Sequence, residues 1–233
     1  MVHFTKRFVI LSLARRFVNC LFGLFSYNTH MTDEQHNAPQ PRRGRPRRAT
    51  AESHNDILDA VYELLQERSV RDLTMEAVAK KAAVGKPTLY KWWPTKAALV
   101  MDMLQYRFGS GPELTAAETG EATIRQIVGW VISAFNGPFG KVLAELIAEG
   151  QSDSAVLQEL YDRHIRGWRI ATVAYIEQDK ASGALMANAD PDLVIDAIFG
   201  AIYYRLLLRS APLTEQFGDQ IVDQVLRGVR ADT

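Results

Sequence analysis

The stretch LTMEAVAKKAAVGKPTLYKWWPTKAAL, residues 73–99, decides the fold. Thr74 is a good helix N-cap because its hydroxyl oxygen can accept a backbone N–H, and the helix that it begins breaks at Ala83-Val84-Gly85. Lys86 opens a second short helix with Pro87 in its first turn, where a missing N–H is tolerated. Two short helices joined by a turn of about three to four residues are typical of a helix-turn-helix, here about residues 73–93. Such a motif places the front of its second helix in the major groove of DNA.

The second helix of the motif has one apolar face. Leu89 and Trp93 are four residues apart and share that face, so we expect both in the core. Pro94 ends the helix, and Thr95 can cap the next one. The polar side chains of the second helix lie mostly on its other faces: Lys86, Thr88, Tyr90 and Lys91.

Several segments between Thr50 and Ser110 carry a family pattern: Ile57-Leu58-Asp59-Ala60, Leu73-Thr74, Val78-Ala79, Val84, Thr88-Leu89-Tyr90, Trp93-Pro94-Thr95-Lys96 and Ala98-Leu99. With them the chain resembles the DNA-binding domain of the TetR family of transcriptional regulators. Beyond that domain the resemblance is only a helical pattern. The family usually has Gly where Ala83 stands; an alanine costs about 1 kcal/mol in the left-handed conformation, and we expect Gly85 to take part of that strain.

The resemblance implies roles in DNA binding for the motif. Thr74 and Tyr90 would donate hydrogen bonds to phosphates, and Lys96 would place charge beside a phosphate. The base edges would be faced or flanked by Lys86, Pro87, Thr88, Lys91 and Trp92. Packing is the alternative role for Tyr90 and Trp92, and a plain helix cap is the alternative for Thr74.

Residues 1–49 read as a leader followed by a basic arm. The arm is polar and proline-punctuated, and its arginines could reach phosphates or a minor groove; a solvated linker is the alternative. These arginines are Arg42, Arg43, Arg45, Arg47 and Arg48. In the leader, Arg15-Arg16 split the apolar run. Three interpretations remain open: a translation start at Met31, an amphipathic or disordered leader, or a signal or membrane anchor.

Charge is divided unequally along the 233 residues. Residues 1–108 contain 17 Lys+Arg against 10 Asp+Glu, and residues 109–233 contain 10 against 17. A basic half before an acidic half suits a polyanion-binding module joined to a body that does not touch the polyanion. Cys20 is the only cysteine, so no disulfide within the chain is possible, which fits a cytoplasmic protein.

We predict an all-α protein in which a three-helix DNA-binding domain, residues 50–110, precedes a helical domain, residues 111–233. Apolar spacing in the second domain predicts helices over 121–135, 139–149, 153–181, 193–208 and 214–229. The 193–208 helix is apolar over much of its circumference, so it is central or meets a partner subunit. The resemblance implies that the last two helices, about 193–229, form a homodimer interface.

The resemblance also implies a small-molecule effector site in the second domain. Aromatic side chains that could line it, with core packing as the alternative for each, are Trp130, Phe135, Trp168, Tyr175, Tyr203 and Tyr204. The sequence shows no metal-ligand spacing, no glycine-rich phosphate loop and no nucleophile elbow, so we expect no metal, no cofactor and no catalysis.

These observations favour a ligand-responsive repressor that binds a palindromic double-stranded operator as a homodimer and makes no stable membrane association. Two other hypotheses stay open. One is a membrane-tethered regulator or interaction protein that uses the leader. The other is a helical small-molecule sensor without DNA binding.

Overall fold

The computed structural model describes residues 47–109, 111–112, 114 and 119–231, with side chains from residue 54 onward. These residues form ten α-helices and one π-helical turn, with no extended strand, as the all-α prediction requires. The helices are α1 (Arg47–Glu67), α2 (Met75–Lys81), α3 (Lys86–Trp92), α4 (Lys96–Phe108), α5 (Gly120–Phe135), α6 (Pro138–Gly150), α7 (Ser154–Leu160), α8 (Arg166–Ala181), α9 (Pro191–Leu208) and α10 (Glu215–Arg227). Within the described residues, contacts divide the chain into two compact units, 47–107 and 108–231.

Helix α1 supplies one wall of the first unit. Apolar residues at helical spacing form its buried stripe: Ile57, Leu58, Val61, Leu64 and Leu65. Threonine is a common N-cap, which predicts a helix that begins after Thr50, but this prediction is wrong because α1 already begins at Arg47. Arginine and alanine, which precede Thr50, are good helix formers, so the helix extends back to the residue after Pro46. Arg47 and Arg48 therefore belong to α1 rather than to a flexible arm.

The turn between α2 and α3 is built on a strained alanine. Thr74 caps α2 by accepting a hydrogen bond from the Ala77 N–H at 3.1 Å, as predicted. Ala83 has a φ of 53°, in the left-handed region that disfavours a side chain. Gly85 has a φ of −75° and forms the N-cap of α3, so our expectation that it takes part of the strain is wrong.

Helix α4 closes the first unit. Thr95 accepts a hydrogen bond from the Ala98 N–H at 3.0 Å, which is the predicted cap. Leu99, Met103 and Leu104 are fully buried along one side of the helix. The first unit thus has a closed apolar core under the α2–α3 motif.

The second unit is a helical bundle in which α5 packs against α6, α8 and α10, and α9 packs against α8 and α10. Asp190 caps α9 with Pro191 in its first turn, and Thr214 caps α10. The N-terminus of α5 is capped by Thr119, which accepts a hydrogen bond from the Ala122 N–H, and also by a residue distant in sequence. The buried carboxylate of Asp179 accepts the N–H groups of Gly120 at 2.8 Å and Glu121 at 2.7 Å, which ties α8 to α5.

The single long helix expected from 153 to 181 is interrupted. Asp153 caps α7, but Tyr161–Ile165 form a π-helical turn before α8 begins. A π turn holds one extra residue relative to an α-helix, so side chains on either side of it change register. The apolar spacing of the segment did not reveal this change.

Helices α5 and α10 are also joined by charged side chains. Arg125 of α5 contacts Glu121 at 2.7 Å and also pairs with Asp223 of α10. Arg230 reaches Glu121 from beyond the end of α10, at 3.1 Å. Burial would raise the pKa of Glu121, but hydrogen bonds from Arg125 and Arg230 outweigh it and hold the pKa below its ordinary value.

Candidate nucleic-acid interface

Helix α3 separates an anchoring face from an exposed face. Leu89 is fully buried and Trp93, which follows the last residue of the helix, is 2% exposed, so the prediction that both lie in the core is confirmed. The predicted DNA-facing side chains of the helix are all exposed: Lys86, Pro87, Thr88, Tyr90, Lys91 and Trp92. The exposed face begins at the N-terminal end of the helix, where a helix-turn-helix reads DNA.

Trp93 holds the rear of α3 through two contacts. Its indole N–H donates to the carboxylate of Asp102 on α4 at 2.6 Å. Its ring lies 4.7 Å from that of His54 on α1, measured between centroids. Because both neighbours belong to longer helices, the end of α3 is fixed while its front projects.

Tyr90 and Trp92 differ in how far packing accounts for them. Tyr90 is 53% exposed on α3. Trp92 is 44% exposed, and its ring also meets His54 edge-on with centroids 5.1 Å apart. Trp92 therefore has a packing role, although part of its surface stays exposed to solvent.

Thr74 and Lys96 each have a partner within the protein. Thr74 is exposed, and its oxygen accepts from Ala77 while its hydroxyl proton stays available to donate to a phosphate. The ammonium of Lys96 donates to the carbonyl oxygens of Val70 at 2.7 Å and Arg71 at 3.2 Å. Lys96 thus secures the loop before α2, a role that the sequence did not indicate, and its phosphate contact stays a prediction.

Two lysines of the motif are paired with glutamates. Lys86, at the start of α3, forms an ion pair with Glu76 in the first turn of α2. Lys81, at the end of α2, contacts Glu63 of α1 at 2.7 Å. The hydrogen bond and charge of Lys86 lower the pKa of Glu76. The sequence did not indicate the pairing of Glu76 with Lys86, because it joins residues ten apart.

The rest of the predicted arm cannot be placed. Arg42, Arg43 and Arg45 lie outside the described residues, as does the leader, residues 1–30. Arg47 and Arg48 begin α1, but their side chains are not among those described.

The predicted effector-site aromatics fall into separate groups in the second unit. Trp130 of α5 stacks on Trp168 of α8 with ring centroids 5.8 Å apart. Phe135 of α5 meets Tyr203 of α9 edge-on at 5.2 Å, and burial raises the pKa of Tyr203 to about 12. The four rings therefore form two pairs rather than one continuous wall.

The remaining two candidates lie apart from these pairs. Tyr175 is buried, and Tyr204 is 57% exposed on α9. Successive helical residues point about 100° apart, so Tyr203 and Tyr204 cannot share the interior.

Gly111 leaves room for Trp168: with a φ of +60°, it would place an added Cβ 2.4 Å from the indole Cζ2.

Two family models match most of the described chain: "Bacterial regulatory proteins, tetR family" over residues 57–103, and "Tetracyclin repressor-like, C-terminal domain" over residues 115–225. A curated relative, the uncharacterized HTH-type transcriptional regulator YdeS of Bacillus subtilis, is 32% identical over 195 residues, which cover 82% of this chain and 96% of YdeS. The chain belongs to the TetR family of transcriptional regulators. The HTH-type transcriptional regulator EthR of Mycolicibacterium smegmatis is 28% identical over 156 residues, 63% of this chain and 71% of EthR.

Solved structures give the same TetR fold. The TetR family transcription regulator SCO0332 superposes with a TM-score of 0.63 at 28% identity, covering 76% of this chain and 98% of SCO0332. The regulator FadR of Bacillus subtilis, solved in complex with stearoyl-CoA, also gives a TM-score of 0.63, at 17% identity, over 76% of this chain and all of FadR. At that identity FadR supports the fold alone.

Membership makes this TetR protein a DNA-binding transcriptional regulator and not an enzyme. Membership in this family argues against the hypothesis of a helical small-molecule sensor without DNA binding. Within the described ranges, no single helix has the length and hydropathy to cross a membrane, although α5 and α6, bent by 81° at their junction, pass that test as a pair. The membrane-tethered alternative depends on the leader, which those ranges do not include. The described side chains also contain no group of three or more His, Cys, Asp or Glu placed to hold a metal ion.

Proposed function

We propose that this TetR regulator represses transcription by binding a palindromic operator as a homodimer, with the exposed front of α3 in the major groove. The observation that carries the proposal is the division of α3: Leu89 and Trp93 are buried at its rear, while Lys86, Thr88 and Lys91 are exposed. Lysine can donate to guanine acceptors, and the methyl of threonine can meet a thymine methyl. Thr74, Tyr90 and Lys96 would contact the flanking phosphates, and the basic arm would add affinity without much sequence choice.

The length of α3 supports two copies rather than one. Seven residues span about 10 Å of helix, which matches about three base pairs. Two such helices related by a two-fold axis read a longer palindromic site.

Helix α9 offers a surface for such a dimer. Leu193 is 66% exposed and Tyr204 is 57% exposed, and the exposed Gly200 lies between them on one stripe of the helix. Leu207 and Leu208 continue the exposed apolar surface at the end of α9. Several exposed apolar side chains along one side of a helix are typical of an interaction surface.

A charge placed on the stripe tests the dimer. We expect Tyr204→Arg to convert the sedimenting species from dimer to monomer, because it buries a charge in the proposed interface. Ile170→Arg is the matched control, since Ile170 is a similarly exposed apolar residue (51%) on α8. Equal behaviour of the two variants would argue against an interface on α9.

Base reading by α3 is tested with full-length protein and the DNA upstream of its own gene. Footprinting defines the operator, and fluorescence anisotropy compares it with random duplex. Lys91→Ala should weaken operator binding by about 1–3 kcal/mol and relax the preference at one base pair of each half-site. Lys80→Ala, which removes an exposed lysine of α2, should weaken operator and random duplex alike. Unchanged operator selectivity in Lys91→Ala would refute the placement of α3.

We also propose that the second unit, within residues 111–233, binds a small-molecule effector beside one of its aromatic pairs and thereby releases DNA. FadR, which shares the fold, was solved with stearoyl-CoA, so this acyl-CoA is a practical first probe. Release of labelled operator by stearoyl-CoA, reduced in Trp168→Phe or Tyr203→Phe, would support an effector site at the corresponding pair. If stearoyl-CoA binds but does not release the operator, the effector site is not coupled to DNA binding.

A further inference from the structure

Glu76 and Lys86 form an ion pair across the turn of the DNA-binding motif. Glu76 lies in the first turn of α2, and Lys86 is the first residue of α3. Both side chains are open to solvent: that of Lys86 is 50% exposed and that of Glu76 is 68% exposed. In the absence of DNA, the ammonium of Lys86 at the first residue of α3 is therefore paired with a carboxylate of the same chain.

The position of Lys86 is not one that helix stability favours. A lysine at the first position of a helix meets the positive end of the helix dipole, whereas a carboxylate there would be stabilised. Glu76 offsets this charge from the neighbouring helix, and its own place in the first turn of α2 suits an anion. The pair thus keeps a lysine at the front of α3 without leaving its charge unbalanced.

We propose that Glu76 is a specificity-determining residue: it competes with DNA for the ammonium of Lys86, so that random duplex gains less from this lysine than the operator does. The inference rests on the proposed placement of α3 in the major groove. Glu76 acts through Lys86 and need not itself contact a base.

The competition follows from the charges. While Lys86 stays on Glu76, the pair is neutral and displaces no counterion from DNA, so it adds nothing to non-specific affinity. When the ammonium of Lys86 pairs with a DNA phosphate instead, the carboxylate of Glu76 loses its partner and faces the negatively charged DNA. A contact between Lys86 and one phosphate contributes little more free energy than the exposed ion pair with Glu76, whereas a well-placed contact with a base contributes more. The carboxylate therefore penalises mismatched complexes more than matched ones, which is how repulsive groups produce specificity.

The chain provides a matched control in the same unit. Lys81 and Glu63 form a second exposed Lys–Glu pair, with side chains 47% and 58% exposed. That pair joins the end of α2 to α1, and neither residue belongs to α3. Neutralising Glu63 changes the net charge as neutralising Glu76 does, but it frees a lysine that is not on α3.

The test measures binding of full-length Glu76→Gln and Glu63→Gln to operator and to random duplex over a range of salt concentrations. We expect Glu76→Gln to tighten binding to random duplex about three- to tenfold and to steepen the slope of log K against log salt by about 0.9, one added phosphate contact. Operator binding should change less, so the ratio of the two affinities falls. Glu63→Gln should shift both duplexes equally and leave that ratio unchanged. Equal changes in the two variants, or an unchanged salt slope in Glu76→Gln, would overturn the inference.

A third variant assigns the effect to Lys86. In Glu76→Gln/Lys86→Met the added salt slope should disappear, since the freed ammonium is gone; its persistence would show that Glu76 acts on DNA by charge alone and would overturn the pairing argument. Failure of the proposed function has a different signature, because wild-type protein would then show no operator preference or Lys91→Ala would retain it. Amide exchange of residues 75–93 shows whether each variant keeps the motif folded.

Discussion

Replacing Ala83 with glycine should stabilise the motif, because Ala83 is held at a φ of 53°. Its conformation lets the Val84 N–H donate to the Ala79 carbonyl at 3.0 Å, so the turn cannot relax without losing that bond. The left-handed conformation costs an L-residue with a Cβ about 1–2 kcal/mol. Glycine removes this strain but gives the unfolded chain more freedom, worth about 0.4–1 kcal/mol. We therefore expect a net gain of about 0.5–1 kcal/mol from Ala83→Gly.

The neighbouring residue provides the control for this prediction. Ala82, the C-cap residue of α2, has a φ of −81°, in the right-handed region. Ala82→Gly deletes the same methyl group but relieves no strain, so it should destabilise the motif by about 0.5–1 kcal/mol. The two variants thus have the same composition, but we expect Ala83→Gly to stabilise the motif and Ala82→Gly to destabilise it.

Hydrogen exchange on the full-length protein measures both changes locally. If the motif opens as a unit, amides of residues 75–93 should exchange about two- to fivefold more slowly in Ala83→Gly and faster in Ala82→Gly. Peptides from the second unit serve as the internal reference and should not change. Exchange in Ala83→Gly that equals or exceeds the wild-type rate would refute the strain argument.

Three further predictions concern the anchors of each unit. Trp93→Phe removes the indole donor to Asp102 and shrinks a buried side chain, so the free energy of unfolding, measured with urea by circular dichroism, should fall by about 1–3 kcal/mol. Asp179→Asn replaces one of two acceptor oxygens at the start of α5 with an NH₂ group, and should lower that free energy by about 2 kcal/mol; no change would mean that this cap contributes nothing. Hydrogen bonds from Arg125 and Arg230 outweigh burial and lower the folded-state pKa of Glu121, so the stabilisation by Glu121 is present above its unfolded pKa and is lost as pH falls through the folded pKa. Between about pH 6 and pH 3, wild type should therefore lose more stability than Glu121→Gln.

Local rules were enough to predict most of the helices and their caps. Thr74 and Thr95 cap helices, as predicted, because each can offer an oxygen to an N–H a few residues ahead, which depends only on nearby sequence. The burial of Leu89 and Trp93 followed from helical spacing in the same way. Interpretations failed where two local preferences competed, as at Ala83 and Gly85, where only the structure shows which residue is left-handed.

Contacts between distant residues could not be predicted in this way. Lys96 reaches a carbonyl 26 residues away, and Asp179 caps a helix that begins 59 residues earlier. The pairing of Trp130 with Trp168 depends on how α5 crosses α8 and on the register after the π turn. Such contacts are set by tertiary packing, for which a single sequence carries no periodic signal.

The separation of anchor from exposed surface on α3 has a consequence for how such regulators diverge. Leu89 and Trp93 fix the helix, and changes there would weaken the fold. Thr88 and Lys91 are exposed, so a duplicated gene could exchange them at little cost to stability. A few surface mutations can then change which operator sequence the protein recognises, and the fold tolerates each mutation even before a matching operator has evolved.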